Sequence, residues 1–197
     1  LYTDATTPFG RKCLIAALER EIPLEERFIK LSEPGDFLEV NPLNQIPALF
    51  IKPGKCYFDS DVILDYLDTL HEGSPLIPAL NRFECKTAIH LANGVIESTL
   101  LRTMELRRPE CQQSKTYVAH LEARVMRGID TMEKKRETKI GDWLNGEEIT
   151  TAVALSYVDF RFSTEWRKTA PTLETWFERV ACRKSMKRTA PTRERSI

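Results

Sequence analysis

Apolar positions along this chain follow two rhythms. Between Pro8 and Ile22 they recur at helical spacing, with Leu14, Ala17, Leu18 and Ile22 on one face, so a helix is expected from Pro8 until Pro23 ends it. The short stretches around it alternate instead. Leu1 to Thr3 and Glu26 to Leu31 read as strands, and Glu33-Pro34-Gly35 reads as a loop. IPALF (46–50) and CYF (56–58) read as two strands of a hairpin, joined by a tight turn at Lys52-Pro53-Gly54. Asp59-Ser60 then opens a helix whose apolar face is expected to carry Val62, Ile63, Tyr66, Leu67 and Leu70. Strand, helix, strand, hairpin and helix together describe a small α/β unit with a mixed sheet.

Beyond residue 70 the pattern breaks and returns changed. HEGSPLIPALN (71–81) carries glycine and prolines without periodicity, and the expected division is residues 1–75, a linker over 76–81, and an all-helical part over 82–197. Cys85, Ile89, Ala92, Ile96, Leu100 and Met104 form one long stripe, and Val118, Leu121, Val125, Ile129 and Met132 form a second. With Arg108-Pro109 between them, two long antiparallel helices are expected. Asn145-Gly146-Glu147-Glu148 has the form of a capping box ahead of ITTAVALSYVDF, a helix expected to be buried. A last helix is expected from Pro171, carrying Leu173, Trp176, Phe177, Val180 and Ala181, with a polar, loosely held tail from Lys187 onward.

Composition narrows the chemistry. A chain of 197 residues can bury a substantial core without staples. Its 29 Lys and Arg residues balance 29 Asp and Glu, so no net charge draws it toward nucleic acid or an anionic membrane. Cys13, Cys56, Cys85, Cys111 and Cys182 are odd in number and widely spaced, and His71, His90 and His120 are as scattered. Neither a disulfide framework nor a metal site is expected. No stretch resembles a signal peptide or is apolar for long enough to span a bilayer, so a soluble protein of the reducing cytoplasm is expected. The chain starts at Leu1, not a methionine, which leaves the start of the first strand open.

Three segments carry candidate chemistry. A cis Ile46-Pro47 bond would turn the Ile46 N–H and C=O outward, toward an extended peptide; taken alone, a trans proline at a strand start is the commoner form. Asp59-Ser60 offers a carboxylate, a hydroxyl and helix N-terminal N–H groups, which suit the ammonium and carboxylate of an amino-acid headgroup. A plain N-cap uses the same residues. Thr7-Pro8 places a hydroxyl at the start of a helix. Cys13 and Cys56 read as small core residues, not redox groups.

Thr7-Pro8-Phe9, NPLNQIPAL (41–49) and FDSDVILDYLD (58–68), in that order, resemble the glutathione transferase superfamily, and the resemblance runs over nearly the whole chain. YVDFRF and PTLETWFERVACRKSM look like a group of bacterial members. The resemblance implies a thioredoxin-like α/β amino-terminal domain and an all-α carboxy-terminal domain. It implies glutathione as co-substrate and no further cofactor. Ile46 would pair its backbone with the cysteinyl part, Pro47 would be the cis proline with Gln45 preceding the pair, and Asp59 and Ser60 would hold the γ-glutamyl end. Thr7 would contact the sulfur, with Phe9 beside it, and Thr6 could exchange roles with Thr7. Many relatives carry a lysine where this chain has Gln45, so a cation for the glycine carboxylate is missing there.

The implied reaction is attack of the thiolate on a small electrophile, a detoxification chemistry. Its second substrate is expected between the domains, with Met104, Arg107, Arg108, Trp143, Tyr157 and Trp166 as unassigned candidates. The implied assembly is a homodimer through the helix after Ser60 and the first long helix of the second domain. A non-catalytic member of the fold, serving protein interaction or stress response, is the alternative.

Overall fold

The two residues of β1 (Tyr2–Thr3) organise the sheet. β1 runs parallel to β2 (Arg27–Phe28) on one side and antiparallel to β3 (Ala48–Lys52) on the other, and β3 pairs antiparallel with β4 (Lys55–Phe58), giving the order β2-β1-β3-β4. The computed structural model describes residues 1–136, 138 and 141–191. β2 is shorter than the stretch from Glu26 to Leu31 that alternates, because an edge strand has one neighbour and β1 offers it two residues. The hairpin begins at Ala48, two residues later than the apolar run, and turns through Gly54 at φ 73°, a conformation that favours glycine.

α1 (Pro8–Glu19) ends before Pro23 is reached. The Ile22 N–H donates to the Ala17 carbonyl (2.9 Å) and the Glu21 N–H to the Leu18 carbonyl (3.3 Å), with Glu21 at φ 53°. That is a Schellman closure, and the proline only follows it. No periodicity announces α2 (Phe37–Val40), a single turn that buries Phe37, because four residues are too few to repeat. In α3 (Ser60–Asp68) the buried face is Ile63, Leu64 and Leu67, while Val62 and Leu70, expected inside, are each 48% exposed. The inward face is therefore rotated by about one position, and Leu64 takes the place assigned to Val62.

The segment between α3 and α4 (Arg82–Leu106) is held in place rather than free. Asp68 accepts from the N–H groups of Leu76 (2.5 Å) and Ile77 (3.3 Å), both buried, and the Gly146 N–H donates to the Leu76 carbonyl at 2.7 Å. A side chain at Gly146 would place its Cβ 3.1 Å from that carbonyl, so the close approach favours glycine. α4 packs against α5 (Lys115–Lys135) and α6 (Gly146–Arg161) as the stripes predict, although Met104, at its far end, is half exposed. The capping box at Asn145 forms in both directions, each bond 2.9 Å.

α7 (Pro171–Ala181) buries Leu173, Trp176, Phe177 and Val180. The chain then continues into α8 (Lys184–Arg188), whose last two residues fall where a polar, loosely held tail was expected from Lys187. Met186 and Ser185 are buried there, Arg183 pairs with Glu19 at 2.5 Å, and Ser185 also donates to Glu19. α8 thus rests on α1, and α1 is enclosed by α3, α6 and α8. The expected loose tail over 192–197 lies outside the described residues. No described helix is long and apolar enough to cross a membrane.

Candidate functional site

Strand register gathers three loops at one end of the sheet. Tyr2 sits opposite Ala48, and Ala48 opposite Phe58. The exit of β1, the entrance of β3 and the exit of β4 therefore lie abreast, and the segments 4–7, 41–47 and 59–60 emerge side by side. The Thr7, Pro47 and Asp59 segments, spread over about fifty residues of chain, therefore lie side by side.

Asp4 shapes the first loop. One of its carboxylate oxygens accepts from the N–H groups of Thr6 and Thr7, each at 2.6 Å, and from the Thr6 hydroxyl at 3.2 Å. The two threonines are thereby distinguished: Thr6 is committed to Asp4, while the Thr7 hydroxyl makes no capping bond and has no partner among the described hydrogen bonds. Thr7 is the N-cap of α1, followed by Pro8 at the first helical position, where a missing N–H costs nothing. Gly10 makes room for this arrangement. A Cβ there would lie 2.2 Å from the Thr3 hydroxyl and 2.7 Å from the Thr7 methyl.

Asn41 does the equivalent work in the second loop. Buried to 1% exposure, it donates to the Gln45 carbonyl (2.7 Å) and accepts from the Leu43 N–H (3.0 Å). The Ile46-Pro47 bond is cis, Pro47 is buried, Ile46 is half-buried, and the Gln45 side chain is exposed. Neither Asp4 nor Asn41 has a role in the sequence pattern as read above. Asx residues two and three positions ahead of the amides they bind are the local signal that would have found them.

In the third loop Asp59 is exposed, at φ 71°, and accepts from the Asp61 N–H at 2.7 Å, the bond of an ordinary N-cap. Its other oxygen and the hydroxyl of buried Ser60 have no partner among the described residues. Beneath them the Cys13 thiol, fully buried, donates to the Ser60 carbonyl at 3.7 Å, and burial pushes its pKa up to about 12. Cys13 is core, as expected. Cys56 is half-buried in β4. Lys12, with no exposed surface, donates to Asp61 (2.5 Å) and Asn93 (3.1 Å), and Asn93 donates to Asp61 in turn (2.9 Å), so α1, α3 and α4 are joined beside the loop. Phe9 is half-buried against the core, 6.0 Å from the Lys12 ammonium.

A cleft opens on the far flank of the threonine loop. Its volume is about 30 Å³, and Asp4, Thr6, Thr7, Arg11, Tyr157 and Arg188 are among its walls. Of the six candidates for a second-substrate pocket, Tyr157 alone is there. Trp166 is core and donates to Asp159 at 2.8 Å. Trp143 is exposed beside Arg20, and Met104 is exposed beside Arg107. Arg108 pairs with Glu105 at 3.2 Å, as a solvated helix end would. Among the described residues no cluster of three metal-ligating side chains occurs.

Residues 6–70 match the family model described as glutathione S-transferase, N-terminal domain. An uncharacterized GST-like protein, YibF, of Escherichia coli is 29% identical over 94% of this chain and 95% of its own. A glutathione transferase family member from Pseudomonas fluorescens, solved with bound glutathione, is 30% identical, covers 98% of both chains and superposes with a TM-score of 0.91. A second structure of a Pseudomonas fluorescens family member, with S-(propanoic acid)-glutathione, is 31% identical over 98% of both chains, with a TM-score of 0.88. With a thioredoxin-like sheet, a cis proline at its edge and end-to-end similarity to these relatives, the chain belongs to the glutathione transferase superfamily.

Proposed function

We propose that the protein binds glutathione across the three gathered loops and activates its thiol for attack on a small electrophile. The observation that carries this reading is the division of labour in the threonine loop. Asp4 occupies the Thr6 hydroxyl and leaves that of Thr7 free at the N-terminus of α1. Thr7 would donate to the sulfur, Ile46 would pair its backbone with the cysteinyl unit beside cis Pro47, and Asp59 with Ser60 would hold the γ-glutamyl end. Phe9 and Gln45 would flank the site. Gln45 supplies no cation, so the glycine carboxylate would rely on hydrogen bonds alone. Relatives with glutathione bound at this level of similarity support the ligand.

Magnitudes set the margin. Lowering a thiol pKa from about 8.5 to about 6.5 requires roughly 2.7 kcal/mol of preference for the thiolate. A hydrogen bond to a charged group contributes about 1.5 to 3 kcal/mol and a helix N-terminus about 0.3 to 1 kcal/mol. The free Thr7 hydroxyl and α1 together reach that sum, while the negative charge of Asp4 opposes it.

Retention on immobilised glutathione, with release by free ligand, tests the binding; titration of bound glutathione by thiolate absorbance in wild type and Thr7→Ala tests the activation. No retention at millimolar glutathione would sink the reading and favour a non-catalytic interaction module. The same reading pairs two chains through α3 and α4, whose outer surfaces expose Val62 (48%) and Phe83 (79%). Sedimentation equilibrium is expected to give a dimer, and a monomer at micromolar concentration would remove that part.

A further inference from the structure

Two adjacent cations, Arg11 and Lys12, are buried in α1. Lys12 has a carboxylate, Asp61, at 2.5 Å. Arg11 has none among the described residues. Its exposure is 7%, and it donates to three neutral oxygens: the Ser156 hydroxyl (2.6 Å), the Met186 carbonyl (3.1 Å) and the Thr189 hydroxyl (3.2 Å). A guanidinium carries five N–H donors, so two remain. Burial alone, with no acid to offset it, brings the Arg11 pKa down to about 10. A desolvated charge without a counter-charge is costly, and an anion reaching it from outside would offset that cost.

Helical geometry aims this charge. The Arg11 N–H donates to the Thr7 carbonyl at 3.1 Å, so Thr7 and Arg11 lie one turn apart on one face of α1, and both line the cleft. Arg188 stands at the rim of the same cleft. The acids there are otherwise engaged or distant from the buried charge: Asp4 is bound to the Thr6 and Thr7 amides, and Glu26 is exposed at the mouth.

Resting on the glutathione reading, we propose that this cleft selects electrophiles bearing a carboxylate, with Arg11 as the specificity-determining residue. The carboxylate would take the two free Arg11 donors while the electrophilic carbon faces the sulfur held at Thr7. In a substitution the thiolate sulfur forms the C–S bond as the leaving group departs with the pair of the breaking carbon–halogen bond, and no oxidant or further reactant is needed. The product is a glutathione thioether with a small acidic arm.

Matched thioethers test this without turnover. Calorimetry on the full chain would compare glutathione, S-(2-carboxyethyl)glutathione and its neutral amide, S-(2-carbamoylethyl)glutathione. Wild type is expected to bind the acid about 10-fold or more tighter than the amide, the scale of one charge-assisted hydrogen bond. Arg11→Gln should bring the two affinities together, with glutathione binding in the same sample reporting that the fold survives. Should that variant lose glutathione as well, Arg11→Lys decides: it keeps the charge and should keep a reduced preference. Equal affinities in wild type, a preference that survives Arg11→Gln, or an Arg11→Lys without preference would each overturn the inference. If glutathione binds and the thioethers do not discriminate, this inference alone falls; if glutathione itself does not bind, the reading beneath it falls too.

Discussion

Asp4 and Asp59 each precede a helix at the same end of the sheet, yet they are used in different ways. Asp4 is half-buried, and one of its oxygens takes two amides and a hydroxyl. Asp59 is exposed, satisfies one amide and keeps its second oxygen open. A half-buried carboxylate that gathers three donors fixes a loop, and an exposed one that holds a single amide beside an unclaimed hydroxyl is open to a ligand. The contrast separates scaffold from receptor within one site, although the two residues are chemically identical.

Removing each carboxylate gives the largest expected difference. Asp4→Ala leaves two partly buried amides without an acceptor and should destabilise the fold by about 2 to 3 kcal/mol in urea titrations. Asp59→Ala loses an exposed cap and should cost about 0.5 to 1 kcal/mol, while weakening glutathione affinity about tenfold or more in calorimetry. The reverse order of stability losses would break the comparison. Gly10→Ala attacks the scaffold from the other side. Its Cβ would collide with Thr3 and Thr7, and overpacking of about 1 to 3 kcal/mol set against a helix-propensity gain of about 1 kcal/mol leaves a net loss of up to about 2 kcal/mol.

Smaller effects sharpen the assignment of charge. Thr7→Ala should raise the apparent pKa of bound glutathione by about one unit, because the charged form loses a donor. Thr6→Ala should leave it nearly unchanged. Asp4→Asn keeps the acceptor and removes the negative charge, so the same pKa should fall; a rise there would show that Asp4 does not oppose the thiolate. The smallest expected effect is at Cys13, beneath the Asp59 loop. With its thiol at about 12 and no exposed surface, it should stay unmodified by iodoacetamide at neutral pH, while exposed Cys111 and Cys182 are alkylated. Mass spectrometry of the native protein reads this out, and rapid modification of Cys13 would mean that the base of the receptor loop opens.

Local patterns foretold the hairpin, α1, the α4 and α5 stripes and the Asn145 capping box, since each rests on bonds or spacings within a few residues. α2 and α8 were too short for a period to register. The rotated face of α3 shows the same limit: Val62 and Leu64 are equally apolar, and only the position of neighbouring helices chooses Leu64. Arg11 and Lys12 went unread for another reason. A cation near a helix N-terminus with no acid in its first turn runs against the dipole, a local oddity that was available. Their partners, Ser156, Thr189, Asp61 and Asn93, lie 49 to 178 residues away, so the meaning of that oddity was not.

By itself the sequence determined where helices start and stop, that two strands turn back on each other, and the order of the segments that form the proposed glutathione site. Those are short-range matters of caps, fixed φ angles and periodic burial. The tertiary structure decided which loops meet, because pairing β1 with β3 and β3 with β4 brings three separate segments to one edge. It also decided which of two adjacent cations finds a carboxylate among the described residues. That depends on helices arriving from distant parts of the chain, and no local rule reports a charge that they leave without one.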